Sequence, residues 1–161
     1  MANYNSYGYG NGNKGYNNKG GSQGPYPGNQ RQTPAPVLPE KVPEDYVDRA
    51  EAVIAEVMGQ RPAITTSKIR NLLSLASDIY NVEKLRTEKE LCPDSVARVG
   101  MMRVRTAYEA GRDGVTKSFV EKARLLQYLK GIGKDREDLI RFAHYMEALV
   151  AYHRYYGGKE N

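Results

Sequence analysis

Tryptophan is absent from these 161 residues, and three other chemically useful side chains are scarce. There is one cysteine, Cys92, with two histidines and two phenylalanines. A lone cysteine cannot close an internal disulfide. A zinc site built on Cys92, His144 and His153 would need carboxylates from distant segments, and at 100° per residue the two histidines fall on different faces of their helix. No apolar signal segment follows Met1 and no run is long enough to span a bilayer. The chain therefore reads as cytoplasmic, with no membrane partner.

Catalytic signatures are missing as well. The sequence has no G-x-S-x-G, no glycine loop ending in G-K-[ST] and no H-E-x-x-H. Cys92 sits beside Pro93 without a histidine nearby in sequence, so nothing marks it as a nucleophile. Glu51, Glu56, Glu83, Asp113 and Glu137 are scattered among lysines and arginines, the pattern of solvated helix faces. His153 shares a face with Met146, Leu149 and Val150 and reads as a hydrogen-bonded, partly buried imidazole. No catalytic residue, metal ligand or cofactor is nominated.

What the chain does contain divides sharply by composition after Pro36. Residues 1–36 hold 8 of the 16 glycines and 5 of the 13 tyrosines, and no Val, Ile, Leu or Phe. Without aliphatic groups to bury, such a tract cannot offset the entropy of ordering itself. Residues 1–42 are accordingly expected to be a disordered Gly/Tyr/Asn-rich leader, and residues 43–161 a helical domain. The leader's charges are Lys14, Lys19 and Arg31. The overall +5 thus leaves 21 basic against 19 acidic groups, only +2, for the remainder. Leader tyrosines can stack loosely on unpaired bases, or the tract can serve only to solubilise.

Beyond Pro43 the apolar residues recur at helical spacing, and no segment alternates with period two. The first helix runs through Val47, Ala50, Ile54 and Val57 to Gly59. The second begins at Thr65–Thr66 and carries Ile69, Leu72, Leu73, Ala76, Ile79 and Tyr80. The third follows Pro93–Asp94 with Val96, Val99, Gly100, Val104 and Ala107. A fourth, capped by Thr116, carries Phe119, Ala123 and Leu126 before Gly131. The last opens on the acids Asp135, Glu137 and Asp138, favoured there by the helix dipole, and closes at Gly157–Gly158. The expectation is an all-α protein, a compact bundle of about five helices.

Cations are patterned on this frame. Arg98, Arg105 and Arg112 are spaced by seven and stack along one face of the third helix, opposite Val96, Gly100 and Ala107. Lys117 and Arg124 repeat the spacing on the fourth. On antiparallel neighbouring helices these five can line one surface at the spacing of a phosphate backbone, with arginine forking onto phosphate oxygens. They can equally be a solvated face paired with Glu109 and Glu121. Arg103 falls near Val96 and Ala107, on the apolar side, and must snorkel, pair with an acid or meet another subunit.

Three stretches then resemble a known family in order along the helical region: ITTSKIRNLLSLASDIYN (64–81), RVRTAYEAGRDGV (103–115) and FAHYMEALVAYHRYYGGK (142–159). They are similar to the small subunit of type III-A CRISPR effector complexes. The leader has no counterpart in that pattern. The resemblance implies a non-catalytic helical subunit present in several copies, packed along repeated backbone subunits and the polymerase-like large subunit beside guide RNA and target RNA. By motif it assigns RNA contacts to Lys68 and Arg70, to Arg103 and Arg105, and to Arg112. The tyrosines of A-Y-H-R-Y-Y read as packing residues sealing a helix end. Two other readings stay open: a structural spacer that touches RNA only incidentally, and a small ribonuclease using His144 or His153.

Overall fold

The computed structural model describes residues 35–160. Of the leader expected at residues 1–42, residues 1–34 lie outside these described residues. The chain from Ala35 onward forms one compact unit, and residues 37–42, which the expected boundary at 42/43 assigns to the leader, make contacts with the helices. Val42 is buried, the Glu40 amide donates to the Gln127 carbonyl at 3.0 Å, and Lys41 pairs with Asp138 at 2.6 Å. Gly131 is what lets this strap lie flat. A Cβ there would stand 1.8 Å from the Glu40 carbonyl oxygen.

Six helices follow: α1 (Tyr46–Met58), α2 (Thr66–Glu83), α3 (Pro93–Arg112), α4 (Gly114–Lys122), α5 (Leu125–Ile132) and α6 (Arg136–Tyr155). Among the described residues there is no strand, only an isolated antiparallel bridge between Glu90 and Asp135. Helix α6 is the central element, packed on α1, α2 and α5, with Leu139, Phe142, Tyr145, Met146 and Leu149 all at 0% exposure. Helix α3 lies against α2, α4 and α5.

The caps follow their chemistry. Thr65 accepts the Lys68 amide at the start of α2, and Asp135 accepts the amides of Glu137 and Asp138 at the start of α6, each satisfying donors the helix leaves open. Helix α3 is capped by the Cys92 sulfur, which accepts the Ser95 amide at 3.4 Å. Helix α4 is capped by Asp113 rather than by Thr116: the carboxylate takes the amide of Thr116 at 3.0 Å and its hydroxyl at 2.5 Å.

Two expectations need correction. The single fourth helix is two, because Arg124 adopts a left-handed conformation at φ 53°. The backbone carbonyl of Ala123, freed by the break, is taken by the hydroxyl of fully buried Tyr145 at 3.1 Å. The buried face of α3 also differs from the expected set of Val96, Val99, Gly100, Val104 and Ala107, of which only Val99 is buried. It is Ser95, Val99, Met102, Thr106 and Ala110. Thr106 can be buried because its hydroxyl donates to the Met102 carbonyl one turn back at 2.9 Å. Val104 and Ala107 face solvent.

Candidate nucleic-acid interface

Rotating the α3 core face by this amount changes where its arginines lie. With Val99 and Thr106 inward, Arg98, Arg105 and Arg112 fall along one edge of the outer surface, beside exposed Met101, Val104 and Tyr108. Arg105 and Arg112 line a groove between α2 and α3 of about 660 Å³, together with Lys68 and Asn71 from α2, Glu109 from α3, and Asp113 at the corner into α4. A smaller hollow of about 210 Å³ continues past Leu75 and Asp78 to Arg98 and Met101, and Arg105 lines both.

The electrostatics of the groove are partly internal. Lys68 holds Asp113 at 2.7 Å. That hydrogen bond, followed by those from the Thr116 hydroxyl and amide, keeps the Asp113 carboxyl well below the usual carboxylate range. Arg112 reaches Glu109 at 3.6 Å and lies 5.4 Å from the Tyr108 ring centroid, a cation–π contact. Arg98 pairs with Asp94 at 2.8 Å one turn earlier. Arg105 has no acidic partner among the described residues, although it sits where the two hollows meet. This is a cationic edge with one unpaired guanidinium and three cations held by exposed or half-exposed acids, pairs worth at most about 1 kcal/mol each in water.

A model of the family described as Csm2 Type III-A matches residues 40–159. The chain belongs to the Csm2 family. It is 48% identical over 120 residues to the CRISPR system Cms protein Csm2 of Streptococcus thermophilus, which spans 73% of this chain and 95% of that protein. The protein of the same name from Mycobacterium tuberculosis is 37% identical over 121 residues, 74% of this chain and 97% of the relative. The one from Enterococcus italicus is 32% identical over 95 residues. Every groove residue lies inside the matched range, whereas most of the Tyr/Gly-rich leader lies outside it.

The remaining cations of this Csm2 chain are dispersed. Arg103 is exposed on the opposite flank of α3, not buried on its apolar side, and has no ion-pair partner among the described residues. Arg70 projects away from the groove, across α2 from Lys68, and pairs with Glu160 at 3.4 Å. Lys117 is exposed on α4 and reaches Glu121 at 3.9 Å. The spacing from Lys117 to Arg124 does not run along one helix, since the chain turns at Arg124, whose guanidinium binds Glu40 of the N-terminal strap. The five-residue surface expected across the third and fourth helices is thus reduced to the α3 arginines and Lys68.

Sequence reasoning missed Asn71 in the groove, Met101 in the hollow beside it, and the exposed Tyr108 ring against Arg112. Tyr108 was findable, because an aromatic four residues before Arg112 shares its helix face. It also misread part of the Tyr152–Tyr156 cluster. Tyr152 packs against the core, but Tyr155 is 79% exposed and Tyr156 41%.

Neither histidine enters the groove. His153 is fully buried, its Nε2 2.9 Å from the Ile64 carbonyl and its Nδ1 3.1 Å from the Thr66 hydroxyl. A carbonyl only accepts, so Nε2 carries a proton and donates to Ile64. His144 lies between the rings of Tyr46 and Tyr80 at centroid distances of 6.5 and 5.5 Å. Among the described residues no group of three His, Cys, Asp or Glu side chains is placed to hold a metal, and no helix is long and apolar enough to cross a membrane.

Proposed function

We propose that this chain is a non-catalytic, RNA-backbone-binding subunit of a type III-A CRISPR ribonucleoprotein, and that the α2–α3 groove is its contact with guide RNA paired to target RNA. The observation that carries the reading is Arg105, a guanidinium with no acidic partner among the described residues, at the junction of two hollows and flanked by Arg98, Arg112 and Lys68. Phosphate oxygens can take over the exposed acid contacts of those three at little cost, because each such ion pair is weak. Asn71 adds a side-chain amide that can donate to phosphate or sugar.

Binding of this kind carries no sequence information, which suits a subunit serving any guide. With about four phosphate contacts, single-stranded RNA binding should weaken with salt at a log–log slope of roughly −3. The isolated chain therefore binds weakly, and repetition beside neighbouring copies, backbone subunits and the polymerase-like large subunit supplies affinity by effective concentration. Antiviral interference in the cytoplasm follows from that assembly, with cleavage left to its other subunits.

The test is charge reversal. Arg105→Glu with Arg112→Glu is expected to lower target-RNA binding by the assembled complex about tenfold or more, and to flatten the salt slope by one to two units, with thermal unfolding of the subunit unchanged. Assembly and target binding both left intact would remove the groove from consideration.

A second reading rests on Met101, Val104 and Tyr108, which are 59%, 57% and 61% exposed on the same outer surface of α3. Such apolar groups favour a protein partner, making the chain a spacer with little RNA contact. Crosslinking within the assembled complex separates the two. Crosslinked peptides from 68–75 and 98–112 support the groove, and crosslinks confined to other subunits support the spacer.

A further inference from the structure

The end of the described chain folds back onto the start of α2. After α6, Gly157 turns at φ 78°, and Gly158 passes so close to the His153 ring that a Cβ would stand 2.0 Å from Cε1. The Thr66 amide then donates to the Lys159 carbonyl at 2.8 Å, and the Ser67 hydroxyl to the Glu160 carbonyl at 2.5 Å. This backbone latch fixes where the Glu160 side chain can reach. Its carboxylate lies between two guanidiniums, 2.5 Å from Arg154 and 3.4 Å from Arg70. All three side chains are about half exposed, at 49%, 51% and 48%. Water screening therefore keeps the contact weak, and the carboxylate can leave by side-chain rotation alone while the latch stays closed.

We propose that Arg70 and Arg154 form a second RNA phosphate site, occupied in the free subunit by Glu160 as an internal stand-in for that phosphate. The inference rests on the RNA-backbone reading of the groove and extends it to Arg154, on α6. Two guanidiniums converging on one carboxylate present the forked donors that a phosphate accepts. The site flanks α2 on the side away from Lys68. A strand crossing that helix, roughly 10–12 Å wide with side chains, meets Lys68 and the α3 arginines on one flank and Arg70 with Arg154 on the other. Glu160 then tunes affinity downward, so that a lone copy releases RNA that an array of copies retains.

The experiment measures binding of the full chain to a labelled mixed-sequence single-stranded RNA by fluorescence anisotropy across a salt series. Glu160→Gln is expected to tighten binding about three- to tenfold. It should also steepen the salt slope by roughly 1.4, because two arginines that had an internal counter-charge now release ions. Glu121→Gln removes the same charge elsewhere and should change affinity less than twofold. Arg154→Gln should weaken binding modestly in the parent chain and abolish the gain in the Glu160→Gln background. Equal gains from Glu160→Gln and Glu121→Gln, or an Arg154→Gln effect identical in both backgrounds, would overturn the proposal. If Arg105→Glu still weakens binding in that case, the groove stands without the second site. If no variant changes RNA binding, both readings fail together.

Discussion

Glu83 shows what a single residue contributes that its sequence context hides. It looks like one more solvated acid at a helix end, yet its side chain is 0% exposed. Burial alone would push its carboxyl up. Hydrogen bonds from Ser95, from the side chain and amide of Cys92, and from Arg86 outweigh that and hold it below its ordinary value of 4.5. The carboxylate thereby joins the end of α2 to the start of α3, whose first turn bears Ser95. Because the folded state binds this proton less tightly than the unfolded state, the stability Glu83 contributes is complete at neutral pH and is lost as pH falls below about 4.5. Glu83→Gln, which aims an amide donor at the Cys92 N–H, should cost about 2–4 kcal/mol at pH 7. Denaturant unfolding at pH 7 and at pH 3 checks this. The gap between parent and variant should narrow at the lower pH, and a constant gap would mean that the ionised form is not the source. His153 was readable by contrast, since its seat beside Met146 and Leu149 on the wheel already placed it inside.

Element positions were legible wherever capping chemistry or glycine marked them, as at Thr65, Asp135 and Gly59. They were illegible where the determinant lies in another helix. Nothing in VEKARLLQ (120–127) signals a break, and the Tyr145 hydroxyl that satisfies the Ala123 carbonyl comes from 22 residues away. On α3 the misreading has a related cause. Ser95 and Thr106 look like surface residues until the Ser95 hydroxyl is satisfied by Glu83 of α2 and that of Thr106 by the Met102 carbonyl, and the exposed Val104, Met101 and Tyr108 look like core. The arginine repeat survived this error because seven-residue spacing stays on one face wherever the core lies. Asp113 links this level to binding, since one carboxylate caps α4 and holds Lys68. Asp113→Ala should therefore move two measurements in opposite directions. Stability should fall by about 1 kcal/mol as the cap is lost, while RNA affinity should rise severalfold as Lys68 is freed. Calorimetry and anisotropy on the same preparation test the pair, and a parallel fall in both would separate Lys68 from the RNA surface.

For the whole molecule, net charge says little about where a polyanion would lie, because the matched region is close to neutral and its cations are mostly paired. Geometry concentrates them instead, by turning α3 so that its arginines face the Lys68 edge of α2. What holds that arrangement is a core closed at both ends of the chain, with the latch at 158–160 on α2 and the strap at 37–42 on α5 and α6. The strap was invisible to composition, since its anchoring depends on single contacts: Val42 in the core, Lys41 on Asp138, Glu40 on Arg124, and Lys130 donating to the Val37 carbonyl at 2.7 Å. A chain begun at Glu44 loses all of these, whereas one begun at Ala35 keeps them. Uncovering the site of Val42 and leaving Asp138 with only the 3.8 Å contact to Arg141 should cost about 2–4 kcal/mol in total. For a unit of this size that lowers the unfolding temperature by roughly 10 °C relative to the Ala35 chain. Matching melting curves for the two would mean the strap is an ornament of the bundle. A clear separation would place the true start of the folded domain before residue 40, nearer the change in composition after Pro36 than the boundary expected at 42/43.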